Sequence, residues 1–219
     1  MVEAYLRQSA LAYLGLEGRA AAGRGDAGVA MTERPHRAIV NLRLDPGNTE
    51  ALAAFEAAFG FALPIAANDT AANTSAEDAD TIALWLGPDE WWLVEPGPEP
   101  EAGPKLAENL RAALAEHVAA ITEVGESRTC IRVSGPRARA LLQKGCPLDL
   151  HPSVFRAGAC AQSILAKSGV TLHLFADESA TQAGAEGPMF DIYVLRSFAE
   201  YLWDWLEDAG GEYGVNIVT

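Results

Sequence analysis

In Arg128-Thr-Cys-Ile-Arg-Val-Ser-Gly-Pro-Arg-Ala-Arg-Ala-Leu-Leu-Gln-Lys-Gly-Cys-Pro-Leu-Asp-Leu-His151, a strand, a turn and a helix follow one another without interruption. Residues 129–134 alternate between two sets of side chains, and this period of two predicts a half-buried strand. Ser134-Gly135-Pro136 supplies the turn and the helix start, because proline is tolerated at the first helical position. The helix presents one apolar face, formed by Ala138, Leu141 and Leu142, which must be buried.

The same stretch carries an excess of positive charge. Between Ser127 and Lys167, seven basic residues stand against one acid, in a chain whose net charge is −14. One interpretation is a solvated helix face, and the other is a surface that docks onto an acidic partner. Arg137 favours docking, because a cation in the first helical turn opposes the helix dipole. The candidate contact residues of the stretch are Arg128, Arg132, Arg137, Arg139 and Lys144.

The composition excludes several classes of partner. A chain of 219 residues with 49% hydrophobic content can build a substantial core, in one domain or in two small ones. The acidic balance argues against nucleic acid and against an anionic membrane surface, since phosphate binding needs clustered Lys and Arg. Charged residues interrupt every apolar run, so neither a signal peptide nor a membrane span is expected. The three cysteines form no CxxC pair, which predicts no zinc site and no disulfide framework and favours a reducing cytoplasm.

The first half of the chain has the pattern of a split α+β unit. Residues 38–44 predict a strand, and the helix that follows ends at Gly60. Residues 81–86 and 90–95 predict an antiparallel hairpin, because a Gly-Pro-Asp turn joins two apolar runs. A leucine-rich helix and a strand over residues 119–124 complete the order βαββαβ of a ferredoxin-like unit.

The second half repeats strands and helices in a similar order. Strands are predicted over residues 160–166, 170–175 and 190–195, and Ser197 with Glu200 forms a capping box that starts the last helix. The predicted fold class is therefore α+β, with two ferredoxin-like βαββαβ-type halves, mainly antiparallel sheets and helices on one face. The predicted divisions are an N-terminal arm and tether (1–33), a first half (34–125) and a second half (126–219).

Two further segments are candidates for contact with another chain. Residues 3–16 place apolar side chains at helical spacing, and a Gly- and Ala-rich run follows up to Met31. This pattern predicts an arm on a tether, which either folds back on its own domain or docks on another subunit. Trp203 points away from the apolar stripe of the last helix, so it is either an interface anchor or part of the peripheral core.

The sequence contains no known catalytic or nucleotide-binding motif. A phosphate-binding loop, a dinucleotide fingerprint, a nucleophile elbow and a zinc-protease helix are all absent. Asp149 and His151 lie two residues apart and suggest an acid–base pair, but no nucleophile or metal-ligand partner accompanies them in the sequence. No catalytic, cofactor-binding or metal-binding residue is therefore predicted for this chain.

Five stretches, in this order and spacing, resemble the gamma subunit of heterotetrameric sarcosine oxidase over roughly residues 34–214. They are Leu84-Trp-Leu-Gly-Pro-Asp-Glu-Trp-Trp-Leu-Val94, Val133-Ser-Gly-Pro-Arg-Ala-Arg139, Lys144-Gly-Cys-Pro-Leu-Asp-Leu-His151, Ala161-Gln-Ser-Ile-Leu-Ala-Lys167 and Arg196-Ser-Phe-Ala-Glu-Tyr-Leu-Trp-Asp-Trp205.

The resemblance implies a cytoplasmic complex of alpha, beta, gamma and delta subunits. Such a complex demethylates sarcosine oxidatively to glycine and passes the one-carbon unit to tetrahydrofolate or releases formaldehyde. FAD, FMN, NAD, zinc and tetrahydrofolate are then expected in the partner subunits, with no cofactor bound by this chain. The gamma chain is similar in fold to the folate-binding aminomethyltransferase superfamily (an aminomethyltransferase/TrmE-N-terminal-like fold) and contributes no known catalytic residue.

Three hypotheses for function follow. The first is a non-catalytic structural subunit that docks through Trp203, the arm and the basic stretch. The alternative is a stand-alone folate-binding or one-carbon-transfer protein, in which the basic stretch would meet a polyglutamate tail and an indole would stack on the pterin. The third is an enzymatic role for Asp149 and His151.

Overall fold

The structure is a computed structural model that describes residues 7–20, 27–73, 81–95, 101–176, 181–182 and 185–219. The chain forms two compact units. Unit 1 consists of Met1–Pro35, Arg128–Ala157 and Gln162–Thr219, and unit 2 consists of His36–Ser127 and Gly158–Ala161.

The strands of the described residues are β1 (Val29–Arg34), β2 (Ala38–Leu44), β3 (Thr70–Ala72), β4 (Ile82–Gly87), β5 (Glu90–Glu95), β6 (Ala119–Glu123), β7 (Arg128–Ser134), β8 (Cys160–Leu165), β9 (Ser168–Ala176), β10 (Thr181–Gln182), β11 (Ala185–Glu186), β12 (Met189–Leu195) and β13 (Val215–Ile217). The α-helices are α1 (Leu16–Ala20), α2 (Thr49–Phe59), α3 (Ala102–Ala113), α4 (Ala138–Gln143) and α5 (Ala199–Gly210). Short 3-10 helices occur at Ala12–Leu14, Gly125–Ser127, Arg196–Phe198 and Gly211–Tyr213. The predicted α+β class is confirmed.

The sheet of unit 2 has the ferredoxin-like arrangement that the sequence predicts. Its order is β3-β4-β5-β2-β6, and each neighbouring pair is antiparallel. The connection β2-α2-β4 encloses β5, and the connection β5-α3-β6 encloses β2, so two split βαβ units interlock. The predicted hairpin between β4 and β5 is confirmed, and β3 adds an edge strand to the sheet.

Helix α2 shows how local sequence determines an element of unit 2. Asn48 caps its start, because the side-chain Oδ1 accepts the backbone N–H of Ala51 at 3.0 Å. Gly60 ends it in the left-handed region, at a φ of 76°, and donates its N–H to Glu56. Between the two caps, Phe55 is fully buried and stacks on Phe59 with ring centroids 4.6 Å apart.

The core of unit 2 lies between α2, α3 and one face of the sheet. It contains Phe55 from α2, alternate residues of β2, and the apolar stripe of α3. At its centre Trp91 is fully buried, and its indole Nε1–H donates to the carbonyl of Pro64 at 2.8 Å. Both helices therefore cover the same face, and the buried indole has its polar atom satisfied.

The sheet of unit 1 contains the same succession of elements with two strands inserted. Its order is β13-β1-β7-β12-β9-β8. The series β7-α4-β8-β12-α5-β13 corresponds to βαββαβ, while β1 lies between β7 and β13, and β9 lies between β12 and β8. The pair β1/β13 is parallel, whereas β1/β7, β7/β12 and β12/β9 are antiparallel.

Strand β1 corrects the prediction of a tether that reaches Met31. Val29 and Met31 are fully buried, and β1 pairs with β7 from Ala30↔Ser134 to Arg34↔Cys130. The small residues of this run give no strand pattern in the sequence, whereas the position between β7 and β13 supplies main-chain partners on both sides. Residues 1–6 and 21–26 of the predicted arm and tether lie outside the described residues.

Strand β3 lies in the polar run between α2 and β4, and residues 74–80 of that run lie outside the described residues. One further local prediction changes. The capping box of Ser197 and Glu200 is wrong, because Ser197 lies within a 3-10 helix and the N-cap of α5 is Phe198, with no side-chain cap hydrogen bond. The 3-10 turn satisfies main-chain groups that a capping side chain would otherwise satisfy.

Candidate functional site

Arg132, a predicted partner contact, is an internal residue of unit 1. Its guanidinium binds Asp191 through two bonds, Nε–Oδ1 at 2.6 Å and Nη2–Oδ2 at 2.8 Å, and both side chains are buried. The guanidinium carbon also lies 4.2 Å from the ring centroid of Phe175. The prediction that Arg132 meets another subunit is wrong, because its charge is already neutralised by a bidentate partner inside the chain.

This ion pair belongs to a buried polar row that crosses four strands. The strand registers place Thr32 of β1 beside Arg132, Arg132 beside Asp191, and Asp191 beside His173 of β9. All four residues are buried. We call this set the polar row. Sequence reasoning missed it, although one signal was available: Asp191 interrupts an otherwise apolar strand, and a buried acid requires a partner.

Arg139 is a second predicted contact that the structure places inside unit 1. Its Nη1 donates to the carbonyls of Leu150 and Phe155, at 2.6 and 3.1 Å, and the side chain is buried. It therefore fixes the loop that follows α4. The prediction of a partner contact is wrong for Arg139, because its donors satisfy main-chain carbonyls that would otherwise be buried without partners.

Lys144 joins the end of α4 to the end of α5. Its Nζ binds the carbonyl of Ala209 and the carboxylate of Glu212, and it lies 4.4 Å from the ring centroid of Tyr213. The hydrogen bond with Glu212 raises the pKa of Lys144 and lowers the pKa of Glu212. Lys144 is thus engaged within unit 1, although its side chain stays partly exposed.

Arg128 and Arg137 are the two remaining cations of the predicted contact set. Arg128 is half-buried, and burial lowers the pKa of its guanidinium. Arg137 is exposed, and its side chain has no hydrogen bond or ion pair with the part of the chain that the structure describes. Among the five predicted contact residues, Arg137 is thus an exposed cation that the described part of the chain does not engage.

Trp203 is part of the core of unit 1. It has an exposed fraction of 0%, and its indole Nε1–H donates to Glu207 Oε2 at 2.9 Å. Of the two alternatives that the sequence left open, the exposed anchor is wrong. Helix α5 has more apolar residues than a single stripe would need, because it buries a wide face that includes Leu202, Trp203 and Leu206.

The described part of the N-terminal arm, residues 7–20, folds back on its own unit. Arg196 Nη2 donates to the carbonyl of Gln8 at 2.8 Å, the hydroxyl of Tyr13 donates to Glu200, and Arg19 pairs with Glu207. These contacts follow one another along α5 and the 3-10 turn before it. Glu207 thereby accepts from both Arg19 and Trp203 and connects the arm to the core.

The arm and β1 border a pocket of about 480 Å³ in unit 1. Its lining includes Leu11, Leu16, Glu17, Thr32 and Glu33. Glu33 accepts a hydrogen bond from the hydroxyl of Thr129 at 2.8 Å, so one oxygen of its carboxylate is already bound to the protein. Among the described residues that line the pocket, no group of three His, Cys, Asp or Glu side chains could hold a metal ion.

Asp149 and His151 form a turn rather than an acid–base pair. The carboxylate of Asp149 accepts the backbone N–H of His151 at 2.9 Å, which is an Asx-type turn. The ring Nδ1 of His151 accepts the backbone N–H of Ser153 at 3.2 Å and lies 2.7 Å from the hydroxyl of Ser153. The carboxylate is thus used on the main chain and does not orient the imidazole.

The described residues also offer no metal site, and the thiol of Cys160 is not activated. No group of three His, Cys, Asp or Glu side chains in the described ranges could hold a metal ion. Burial raises the pKa of the Cys160 thiol to about 12, so the thiolate is not formed near neutral pH. None of the described helices is both long and apolar enough to cross a membrane.

Comparisons with known proteins agree in sequence and in structure. The model of the sarcosine oxidase, gamma subunit family matches residues 43–212. A sarcosine oxidase subunit gamma from Corynebacterium sp. (strain U-96) is 32% identical over 208 residues, which cover 95% of this chain and 92% of that protein. Another from Arthrobacter sp. is 33% identical over 187 residues, covering 84% and 81%.

Two solved structures are informative at different levels. A chain of the heterotetrameric sarcosine oxidase from Corynebacterium sp. U-96, in complex with pyrrole 2-carboxylate, superimposes with a TM-score of 0.77 at 31% identity, covering 98% of this chain and 100% of that chain. The glycine cleavage system aminomethyltransferase T from Bartonella henselae shares the fold alone, with a TM-score of 0.62 at 15% identity, covering 94% of this chain and 51% of that one. From the family match and these relatives, the chain belongs to the sarcosine oxidase gamma subunit family.

Proposed function

We propose that this chain is a non-catalytic, structural subunit of a heterotetrameric sarcosine oxidase. One observation carries the proposal: the chain matches, over nearly its whole length, a chain of a heterotetrameric sarcosine oxidase. In this role it supports the oxidative demethylation of sarcosine to glycine, with one-carbon transfer to tetrahydrofolate. Its partners are alpha, beta and delta subunits in the cytoplasm, and these hold FAD, FMN, NAD, zinc and tetrahydrofolate.

The chemistry of the described side chains supports a structural role. Arg132, Arg139 and Lys144 are engaged within unit 1, Asp149 accepts a main-chain N–H, and the Cys160 thiol is protonated near neutral pH. The hydrogen bonds of these side chains satisfy polar groups within the fold, which accounts for these residues without a substrate. Arg137 and Arg128 remain as proposed contacts with another subunit.

Co-expression with the alpha, beta and delta subunits tests the proposal. We expect the chain to co-purify with them in a fixed ratio, and we expect sarcosine turnover to depend on its presence. If the chain is a fully soluble monomer that does not associate with the other three, the assignment fails. Asp149→Asn and His151→Gln test the non-catalytic part, since both side chains are exposed. A large loss of turnover in a fully assembled complex would contradict that part alone.

The folate-binding alternative is weaker because it depends on the basic stretch. Arg132 and Arg139 are buried and bound to protein groups, so they do not form an exposed cationic surface for a polyglutamate tail. Calorimetry of the isolated chain with tetrahydrofolate separates the two hypotheses. Saturable binding in the micromolar range would favour the alternative, whereas no heat at millimolar ligand would remove it.

A further inference from the structure

Exposed aromatic side chains collect where the arm meets α5. Tyr13 has an exposed fraction of 61%, Phe198 of 41% and Tyr201 of 38%. Leu195 is also exposed at the end of β12, directly before the 3-10 turn that contains Phe198. Single exposed apolar residues are common, but several in one place indicate an interaction surface.

Carboxylates alternate with these aromatic residues along the solvent side of α5. Glu200, Asp204 and Asp208 are exposed and follow one another at i, i+4 spacing, with Tyr201 between them. We call the whole set the acidic–aromatic face, which comprises Tyr13, Leu195, Phe198, Glu200, Tyr201, Asp204 and Asp208.

The position of Tyr13 on this face is fixed by the fold. Its hydroxyl donates to Glu200, and the preceding residues of the arm are held by the bond from Arg196 to the carbonyl of Gln8. Partial desolvation, this hydrogen bond and the charges of Glu200 and Asp204 raise the pKa of Tyr13 to about 12. Tyr13 is therefore a neutral, preorganised aromatic group beside two carboxylates, which lowers the entropy cost of binding through it.

The negative charge of the face is not compensated within the described part of the chain. Glu200, Asp204 and Asp208 form no ion pair there, and Arg19 and Arg196, which lie near them, bind Glu207 and the carbonyl of Gln8. Like charges at i, i+4 destabilise a helix, and Asp208 lies in the last turn, where the helix dipole disfavours an anion. A cationic partner would relieve both effects.

We propose that the acidic–aromatic face docks onto a positively charged surface of another subunit of the complex. Lys and Arg side chains of that surface would pair with the three carboxylates, and their cations would lie over the rings of Tyr13, Phe198 and Tyr201. Aromatic residues are enriched at interface centres, and the net charge of −14 would attract a basic partner over a distance. This inference rests on the proposed function, because it requires a heterologous partner.

The test is charge reversal in the co-expressed complex. The variant Glu200→Lys/Asp204→Lys/Asp208→Lys should weaken association by about 100-fold or more, because juxtaposed like charges cost several kcal/mol. The matched control is Glu101→Lys/Glu108→Lys/Glu116→Lys in unit 2, which changes the net charge equally on exposed positions directly before, within and after α3. We expect the control to retain wild-type association.

A charge-neutral variant distinguishes weakened association from a folding defect. Glu200→Gln/Asp204→Asn/Asp208→Asn should weaken association by about tenfold at low salt and flatten its salt dependence, since screening acts on exposed charge pairs. Thermal unfolding of the free variants should match that of the wild-type chain. Phe198→Ala and Tyr201→Ala should each weaken association by about tenfold if the rings lie within the interface.

The outcomes separate the two proposals. If the wild-type chain does not assemble, the proposed function and this inference both fail. If it assembles and the charge-reversed variant binds as well as wild type, the inference alone fails. Equal weakening by the charge reversal and by its unit 2 control also overturns it, because the effect then reflects total charge. If the isolated wild-type chain dimerises and the reversed variant is monomeric, the face binds a second copy, and the heterologous assignment is wrong.

Discussion

Unit 2 and unit 1 share the order of strands and helices but are built from different kinds of contact. Unit 2 packs α2 and α3 on one sheet face with an apolar core around Trp91. Unit 1 admits two extra strands, β1 and β9, and carries the polar row across four strands. The outer members of that row, Thr32 and His173, both lie on inserted strands. The inserted strands therefore extend the polar row on either side of the ion pair and also widen the sheet.

The two units consequently differ in what a substitution removes. In unit 2, truncation of a core residue removes buried apolar area and leaves a cavity. In unit 1, truncation within the ion pair of the polar row leaves a charge buried without its partner. The free-energy cost of that buried charge exceeds the net stabilisation that the intact pair provides. The four predictions below test this difference.

Asp191→Ala is expected to have the largest effect, a loss of about 3–5 kcal/mol in the free energy of unfolding, because the buried charge of Arg132 loses its bidentate carboxylate. The double variant Arg132→Met/Asp191→Leu should be close to wild type or more stable, since it removes both charges together. Urea denaturation measures both. Equal destabilisation of the single and double variants would show that the polar row stabilises unit 1 through packing and not through its ion pair.

Trp91→Phe should cost about 1–3 kcal/mol more than Trp85→Phe, since it leaves the buried carbonyl of Pro64 without its donor. The two tryptophans face each other across the β4–β5 hairpin. The Nε1 atom of Trp85 is buried and finds no partner among the described residues, so its replacement removes no hydrogen bond. Equal costs in chemical denaturation would show that the indole hydrogen bond does not stabilise unit 2.

Asn48→Ala should lower the free energy of unfolding by about 1 kcal/mol, the usual cost of removing an N-cap. Ser197→Ala in unit 1 should stay within about 0.5 kcal/mol of wild type, because Ser197 does not cap α5. Thermal unfolding of the two variants compares the helix starts of the two units. A larger loss of stability from Ser197→Ala than from Asn48→Ala would show that Ser197 does cap α5.

Glu212→Gln should have the smallest effect, confined to a defined pH range. The pKa of Glu212 is lowered by the hydrogen bond from Lys144, so its stabilisation is present above the ordinary value of 4.5 and is lost as pH falls through the lowered value. The difference in melting temperature between wild type and Glu212→Gln should therefore be largest near neutral pH and vanish in acid. A difference that grows as pH falls would have the wrong sign.

Local sequence predicted unit 2 well because residues close in sequence start, end and connect its helices and strands. Asn48 and Gly60 cap α2, a Gly-Pro-Asp turn joins β4 to β5, and the strand predicted over residues 38–44 coincides with β2. In each case the signal and its structural consequence lie within a few residues of each other. Prediction from a single sequence is strongest in that situation.

Unit 1 was predicted less well because its decisive contacts are distant in sequence. The segment Val29–Arg34 has no strong alternation of its own, and it becomes a strand by pairing with β7 and β13. Arg132 and Asp191 each look like surface residues until the register of β7 and β12 places them together. The exposed positions of Tyr13, Phe198 and Tyr201 likewise depend on where the arm lies along α5.

The position of β1 also has a consequence for the order in which the chain folds during synthesis. Almost all of unit 2 is one continuous segment, His36–Ser127. In contrast, Val29 pairs with Val215, so this pairing can form only after the C-terminal part of the chain has been synthesised. Contacts of high sequence separation form slowly, and domains fold as units while the chain emerges. We expect protease resistance to develop first in unit 2 of a ribosome-bound chain, with β1 protected only after β13 has been released. The first strand of the protein would then be among the last to be fixed.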